Sequence, residues 1–106
     1  MPDRLSAHRN PGRNRNVIPF VVVVQSNRFR TSARRVVVPL VAAGAFRAPD
    51  SDVGPHFVVE GQAVVLDALQ ITNVPRDALG PAVGSLLEGE DRVVRALDIL
   101  LSGAWR

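Results

Sequence analysis

The sequence predicts a mostly β domain closed by one C-terminal helix. Three features carry that reading: β-branched runs in the first half, turn residues placed between them, and an apolar repeat of helical period confined to the end. With 106 residues, 46% hydrophobic and 22% charged, the chain suits one globular domain spanning residues 1–106 rather than two.

Arg4 to Arg9 reads as a weak first strand, and Asn10-Pro11-Gly12 as the turn after it, because proline presets φ and glycine tolerates positive φ. Phe20 to Gln25 and Arg34 to Leu40 are valine-rich strands, with Pro39 expected to mark an edge or a bulge at the end of the second. Unbroken valine runs, rather than alternation, imply strands covered on both faces, one by the interior and the other by a helix or a second subunit. Residues 47–56 hold Pro49, Asp50, Asp52, Gly54 and Pro55 and read as a loop. Phe57 to Glu60 and Ala63 to Leu69 then flank Gly61-Gln62, expected to be a two-residue type II′ hairpin. Val74 to Pro81 reads as a connection, with proline near both ends.

The last segment changes period. Ser85 is the expected N-cap, with Glu88, Glu90 and Asp91 in the first turns where the helix dipole favours acids. Val93, Val94, Leu97, Leu100, Leu101 and Ala104 form an apolar face, Asp91, Arg95, Asp98 and Ser102 the opposite one, and Gly103 the expected stop. By pattern alone this is a small, mostly antiparallel barrel or sheet capped by a helix.

Little in the sequence points to catalysis. His8 and His56 are 48 residues apart with no metal-ligand spacing, there is no cysteine, and no phosphate-binding or nucleophile-elbow motif is present. A metal-free ribonuclease needs a base, an acid and a cation converging on a phosphate. His8, Asp67 and Arg34 supply the types, but the sequence does not bring them together. No catalytic residue, metal or cofactor is assigned.

The charge is uneven. Residues 1–35 carry eight arginines and one acid, a balance of +7, whereas residues 36–106 carry five arginines and nine acids, a balance of −4. Either this basic third attracts a polyanion or an acidic protein segment, or it reflects a composition in which every basic residue is arginine. With only Phe20 and Phe29 as its aromatics, it makes a poor stacking platform for single-stranded nucleic acid. The first apolar run, Val17 to Val24, is interrupted by Pro19, and the second, Val36 to Phe46, is too short to span a bilayer. The expectation is a soluble, cytoplasmic protein with no membrane partner.

Several of these segments together resemble the CcdB toxins. They are Phe20-Val-Val-Val-Val-Gln25-Ser26-Asn27, Thr31, and Arg34-Arg35-Val-Val-Val-Pro39-Leu40. Asn10-Pro11-Gly12-Arg13, Pro55, the Glu60-Gly61 hairpin, Val74-Pro75-Arg76 through Leu79-Gly80, and the ending Ala96 to Gly103 are similar to the same family. The resemblance implies an SH3-like antiparallel barrel, shared with the MazF-type ribonuclease toxins, and a homodimer. It implies a toxin that is not an enzyme, one that grips the DNA gyrase A subunit with the end of its last helix and traps the cleaved DNA complex. The matching positions are Ser102, Gly103 and Ala104, the outer helix face of Asp91, Arg95 and Asp98, and the loop of Arg28, Phe29 and Arg30. It further implies neutralisation by a CcdA-like antitoxin whose acidic disordered segment orders on binding, and operator DNA contacted only through that complex.

The ending departs from the family. Where the best-studied member ends Trp-Gly-Ile, this chain reads Ser102-Gly103-Ala104 and then adds Trp105-Arg106. Trp105 is thus either a displaced aromatic anchor or an inert tail. The alternatives to a gyrase poison are a MazF-like endoribonuclease of the same fold, and a non-toxic member that only binds antitoxin or the operator complex.

Overall fold

The computed structural model describes residues 3–45 and 54–102. Among them, seven strands make one antiparallel sheet: β1 (Ser6–Arg9), β2 (Phe20–Val23), β3 (Arg34–Ala42), β4 (His56–Val59), β5 (Gln62–Leu66), β6 (Thr72–Pro75) and β7 (Ala82–Ser85). One helix, α1 (Glu90–Ser102), follows them. The strand order is β4-β5-β3-β2-β1-β7, with β6 also paired to β3. The sheet curls into a half-barrel until its two edges approach: a Cβ at Gly84 of β7 would stand 3.4 Å from Val59 Cγ1 of β4.

The nine-residue β3 organises this curl. One of its sides faces β2, while the other takes two partners in succession, β6 opposite Arg34–Val37 and β5 opposite Leu40–Ala42. A 3-10 turn at Ala68–Gln70 links β5 to β6. The strand therefore runs past Pro39 to Ala42 instead of ending there. The Pro39 carbonyl accepts from the Asp67 N–H at 3.0 Å, so its missing N–H falls on the side where β5 has stopped and β6 has not begun. Proline is harmless at that break.

The hairpin between β4 and β5 also differs from the sequence reading. Val59 pairs with Gln62, so the central residues are Glu60 and Gly61, at φ +50° and +74°. Two positive φ values define type I′ rather than II′, the turn whose twist matches its strands. Within the expected connection, Val74 and Pro75 end β6, and a 3-10 turn at Arg76–Ala78 follows. Both β6 and β7 escaped the sequence reading: they are short, largely exposed, and carry Pro75 and Gly84. Ser85 is the last residue of β7, and its Oγ accepts from the Leu87 N–H at 3.2 Å, turning the chain into a 3-10 turn at Leu87–Gly89 before the α-helix starts at Glu90. The loop expected at 47–56 lies largely outside the described residues, and so does the expected helix stop at Gly103. His56 already belongs to β4.

The valine runs are buried on both sides. Phe20 and Val22 of β2 join the main core with Val38, Leu40, Val64, Leu66 and the helix residues Val93 and Ala96. Val21 and Val23 face the other way and pack with Val37 and Leu79. That second cover comes from the stretch after β6 rather than from the helix. On α1, Leu97 and Leu100 pack against the core as expected, but Val94 and Leu101 do not: both are exposed, Leu101 by 74%. The polar face of Asp91, Arg95, Asp98 and Ser102 is exposed, as its spacing predicts. Among the described residues no helix is long and apolar enough to cross a membrane.

Candidate partner-binding site

The loop joining β2 to β3 is held by side chains as well as by its own backbone, in which the Phe29, Arg30 and Ser32 N–H groups donate to the Ser26, Asn27 and Phe29 carbonyls at 3.0, 3.2 and 2.9 Å. Its 3-10 turn, Asn27–Phe29, starts where Ser26 Oγ accepts the Arg28 N–H at 3.1 Å. Asn27 Oδ1 accepts the Arg4 N–H at 2.8 Å and ties the turn to the start of the chain. Gln25 reaches across the loop, its Nε2 donating to the carbonyls of Phe29 at 3.2 Å and Arg34 at 3.3 Å, while its Oε1 accepts the Val36 N–H at 3.1 Å.

Arg35 closes the loop from beneath. It is only 1% exposed, yet its guanidinium donates to the carbonyls of Arg30 at 2.7 Å, Ser32 at 2.9 Å and Arg34 at 3.0 Å. Burying a cation is costly unless its donors are satisfied, and here the loop backbone supplies acceptors. The product is a fixed loop that displays Arg28, Phe29 and Arg30 to solvent, with Phe29 56% exposed. Arg30 reaches Asp3 at 3.8 Å.

The loop and the helix meet in one hollow of about 480 Å³, lined by Val24, Gln25, Phe29, Ile71, Leu97 and Leu101 among others. Of the predicted loop contacts, Phe29 is therefore beside the C-terminal half of α1. At about 100° per residue, the Asp91, Arg95, Asp98 and Ser102 face lies roughly a quarter-turn around the helix from Leu97 and Leu101. It borders a separate hollow with Glu90 and Val94. Ser102 Oγ donates to the Asp98 carbonyl at 2.7 Å. Gly103, Ala104 and Trp105, the remaining predicted contacts, lie outside the described residues. The sequence reading missed Ile71 and misassigned Leu101. The available signal was an apolar face on α1 wider than one core stripe needs.

The ribonuclease set does not converge. His8 is buried in β1, its Nδ1–H donating to the Gly80 carbonyl at 2.8 Å and its Nε2 lying 2.7 Å from Ser6 Oγ. Asp67 is buried and bonded to Gln70. His8 pairs with Val21, Val21 with Pro39, and Pro39 with the Asp67 N–H, so β2 and β3 separate the two. Three strand spacings amount to about 14 Å. Arg34 is exposed at the far end of β3 and bonded to Asn73. Among the described residues no group of histidines and acids is placed to hold a metal.

Among the described residues the structure is an antiparallel half-barrel ending in one helix, with Phe29 exposed on a braced loop beside that helix. The chain belongs to the CcdB protein family, whose model matches residues 4–103. Membership makes it a gyrase-poisoning toxin of a toxin–antitoxin system, and a poison rather than an enzyme, with gyrase and a CcdA-type antitoxin as the family's partners. No match was found among individually curated proteins.

Proposed function

We propose that this chain acts as a cytoplasmic homodimer that traps the cleaved gyrase–DNA complex by gripping the gyrase A subunit. The grip combines the end of α1 and its Asp91, Arg95 and Asp98 face with the Arg28-Phe29-Arg30 loop. One observation carries the reading: Phe29, an exposed aromatic, shares a hollow with Leu97 and Leu101 near the end of the helix. Large aromatics at such positions dominate binding energy. A gyrase cleavage assay run beside an RNA degradation assay tests it: accumulation of cleaved DNA with intact RNA is expected, and RNA cleavage without it overturns the reading.

The homodimer rests on apolar surface that one copy leaves open. Ile18, Val74, Pro75 and Ala78 line a second hollow of about 620 Å³ over Val21 of β2 and Val37 of β3, apart from the one beside Phe29. Contiguous apolar surface of this kind marks an interface. Light scattering at micromolar concentration should give about twice the 11.4 kDa chain mass. A monomer persisting to high concentration rules this out.

The antitoxin is proposed to dock an acidic segment, disordered when free, on the basic N-terminal third, where Arg13, Arg15, Arg28 and Arg34 are exposed. Operator DNA would be met only through that complex. Such attraction is screened beyond about 10 Å at 0.1 M salt, so affinity should fall as salt is raised. Titration calorimetry at two salt concentrations checks this, and salt-independent affinity means the arginines take no part in recognition.

A further inference from the structure

The Gln25 and Arg35 side chains flank the 26–33 loop: Arg35 is buried, and Gln25 lines the hollow beside Phe29 with its amide bonded to the loop. Both are spent on the loop backbone. We propose that Gln25 and Arg35 are positioning residues, which hold the loop in its binding shape so that Phe29 and its neighbouring arginines meet gyrase already ordered. The proposal rests on the gyrase reading and deepens it.

The geometry separates this role from ordinary strand pairing. Between them the two side chains bond the carbonyls of Phe29, Arg30, Ser32 and Arg34. Those carbonyls belong to the stretch that carries the exposed aromatic, and little of it is regular structure. Arg35 bonds three of these carbonyls at once with a planar fork of donors, which the compact ammonium of lysine does not match. Gln25 adds a second strap from the opposite side and is itself pinned through the Val36 N–H. The loop's own backbone bonds, from Phe29, Arg30 and Ser32 to the Ser26, Asn27 and Phe29 carbonyls, close only short turns; without the two straps those turns would sample more shapes, and ordering them on contact would weaken binding. The exposed Phe29 makes the bracing meaningful, since a core loop would have no reason to hold an aromatic outward.

The test uses the full chain and isolated gyrase A subunit, with affinity, melting temperature and amide exchange of residues 28–33 measured together. Gln25→Ala should weaken binding roughly tenfold, speed exchange in the loop and leave the melting temperature almost unchanged, because Gln25 is partly exposed. Arg35→Lys should weaken binding at least as much and lower the melting temperature as well. The decisive readout is a double-mutant cycle: in a Phe29→Ala background, Gln25→Ala should add little, since there is no anchor left to position. Additive losses in that cycle, or a Gln25→Ala variant that binds as tightly as the unaltered chain, overturn the proposal and leave the gyrase reading standing. An unaltered chain that does not bind gyrase A overturns both.

Discussion

Leu40→Ala should destabilise the fold by about 3 kcal/mol, the usual cost of truncating a fully buried leucine. For a domain of this size that lowers the melting temperature by roughly 10–20 °C. Leu40 is completely buried at the middle of the sheet, opposite Phe20 on β2 and Leu66 on β5, and all three belong to the main core. Strand pairing fixes the backbone on both sides, so the surroundings have little freedom to collapse into the space left behind. Val58→Ala is the matched control. Val58 lies on the edge strand β4 and is 69% exposed, and surface substitutions of this kind usually stay within about 0.5 kcal/mol. Urea unfolding at one fixed protein concentration reads both, because dimerisation would make stability depend on concentration. Equal effects would mean that the half-barrel core is not where stability resides.

Much of this architecture is written in the residue pattern because its causes are local. The β2 and β3 valine runs have no polar position to face water, and the structure gives each side of β2 its own apolar cover. The helix face of Asp91, Arg95, Asp98 and Ser102 repeats at helical spacing and is exposed. What escaped depends on pairing across the chain. Thr72–Pro75 and Ala82–Ser85 have weak strand character of their own, and they become strands because β3 and β1 present open edges to them. Residue preference places the turn at Gly61-Gln62, one residue later than the Glu60-Gly61 centre, because register decides which residues sit there. Pro39 misleads for a related reason: its missing donor matters only on the side where it would point, and there β5 has stopped and β6 has not begun.

The candidate site divides in the same way. Arg28, Phe29 and Arg30 were legible as loop residues through resemblance, and their exposure follows from the loop. That Phe29 lies beside Leu97 and Leu101 follows only from how α1 packs across the sheet, which no local pattern encodes. The roles of Gln25 and Arg35 were equally hidden. A buried arginine looks like surface charge until its acceptors are seen to be the carbonyls of its own loop.

Deleting residues 102–106 should abolish trapping of the cleaved gyrase complex while the chain still folds and dimerises. Folding survives because the helix residues that hold the core, Val93, Ala96, Leu97 and Leu100, all precede the cut. The hollow proposed for the dimer, lined by Val37 and Val74, is untouched too. Within the deleted segment, Trp105→Ala is the sharper variant. Truncating an aromatic anchor often costs about 2 kcal/mol, roughly thirtyfold in affinity, whereas a tail that touches nothing costs almost nothing. A thirtyfold loss identifies Trp105 as the displaced aromatic of a grip whose family form carries it earlier. A silent Trp105→Ala beside an inactive deletion places the contact on Ser102, Gly103 and Ala104. Charge reversal of Asp91, Arg95 and Asp98 then measures how much the outer face adds. A deletion that traps cleaved DNA as well as the full chain would move the grip to the Phe29 loop and the Asp91, Arg95 and Asp98 face, where Phe29→Ala should then carry most of the loss.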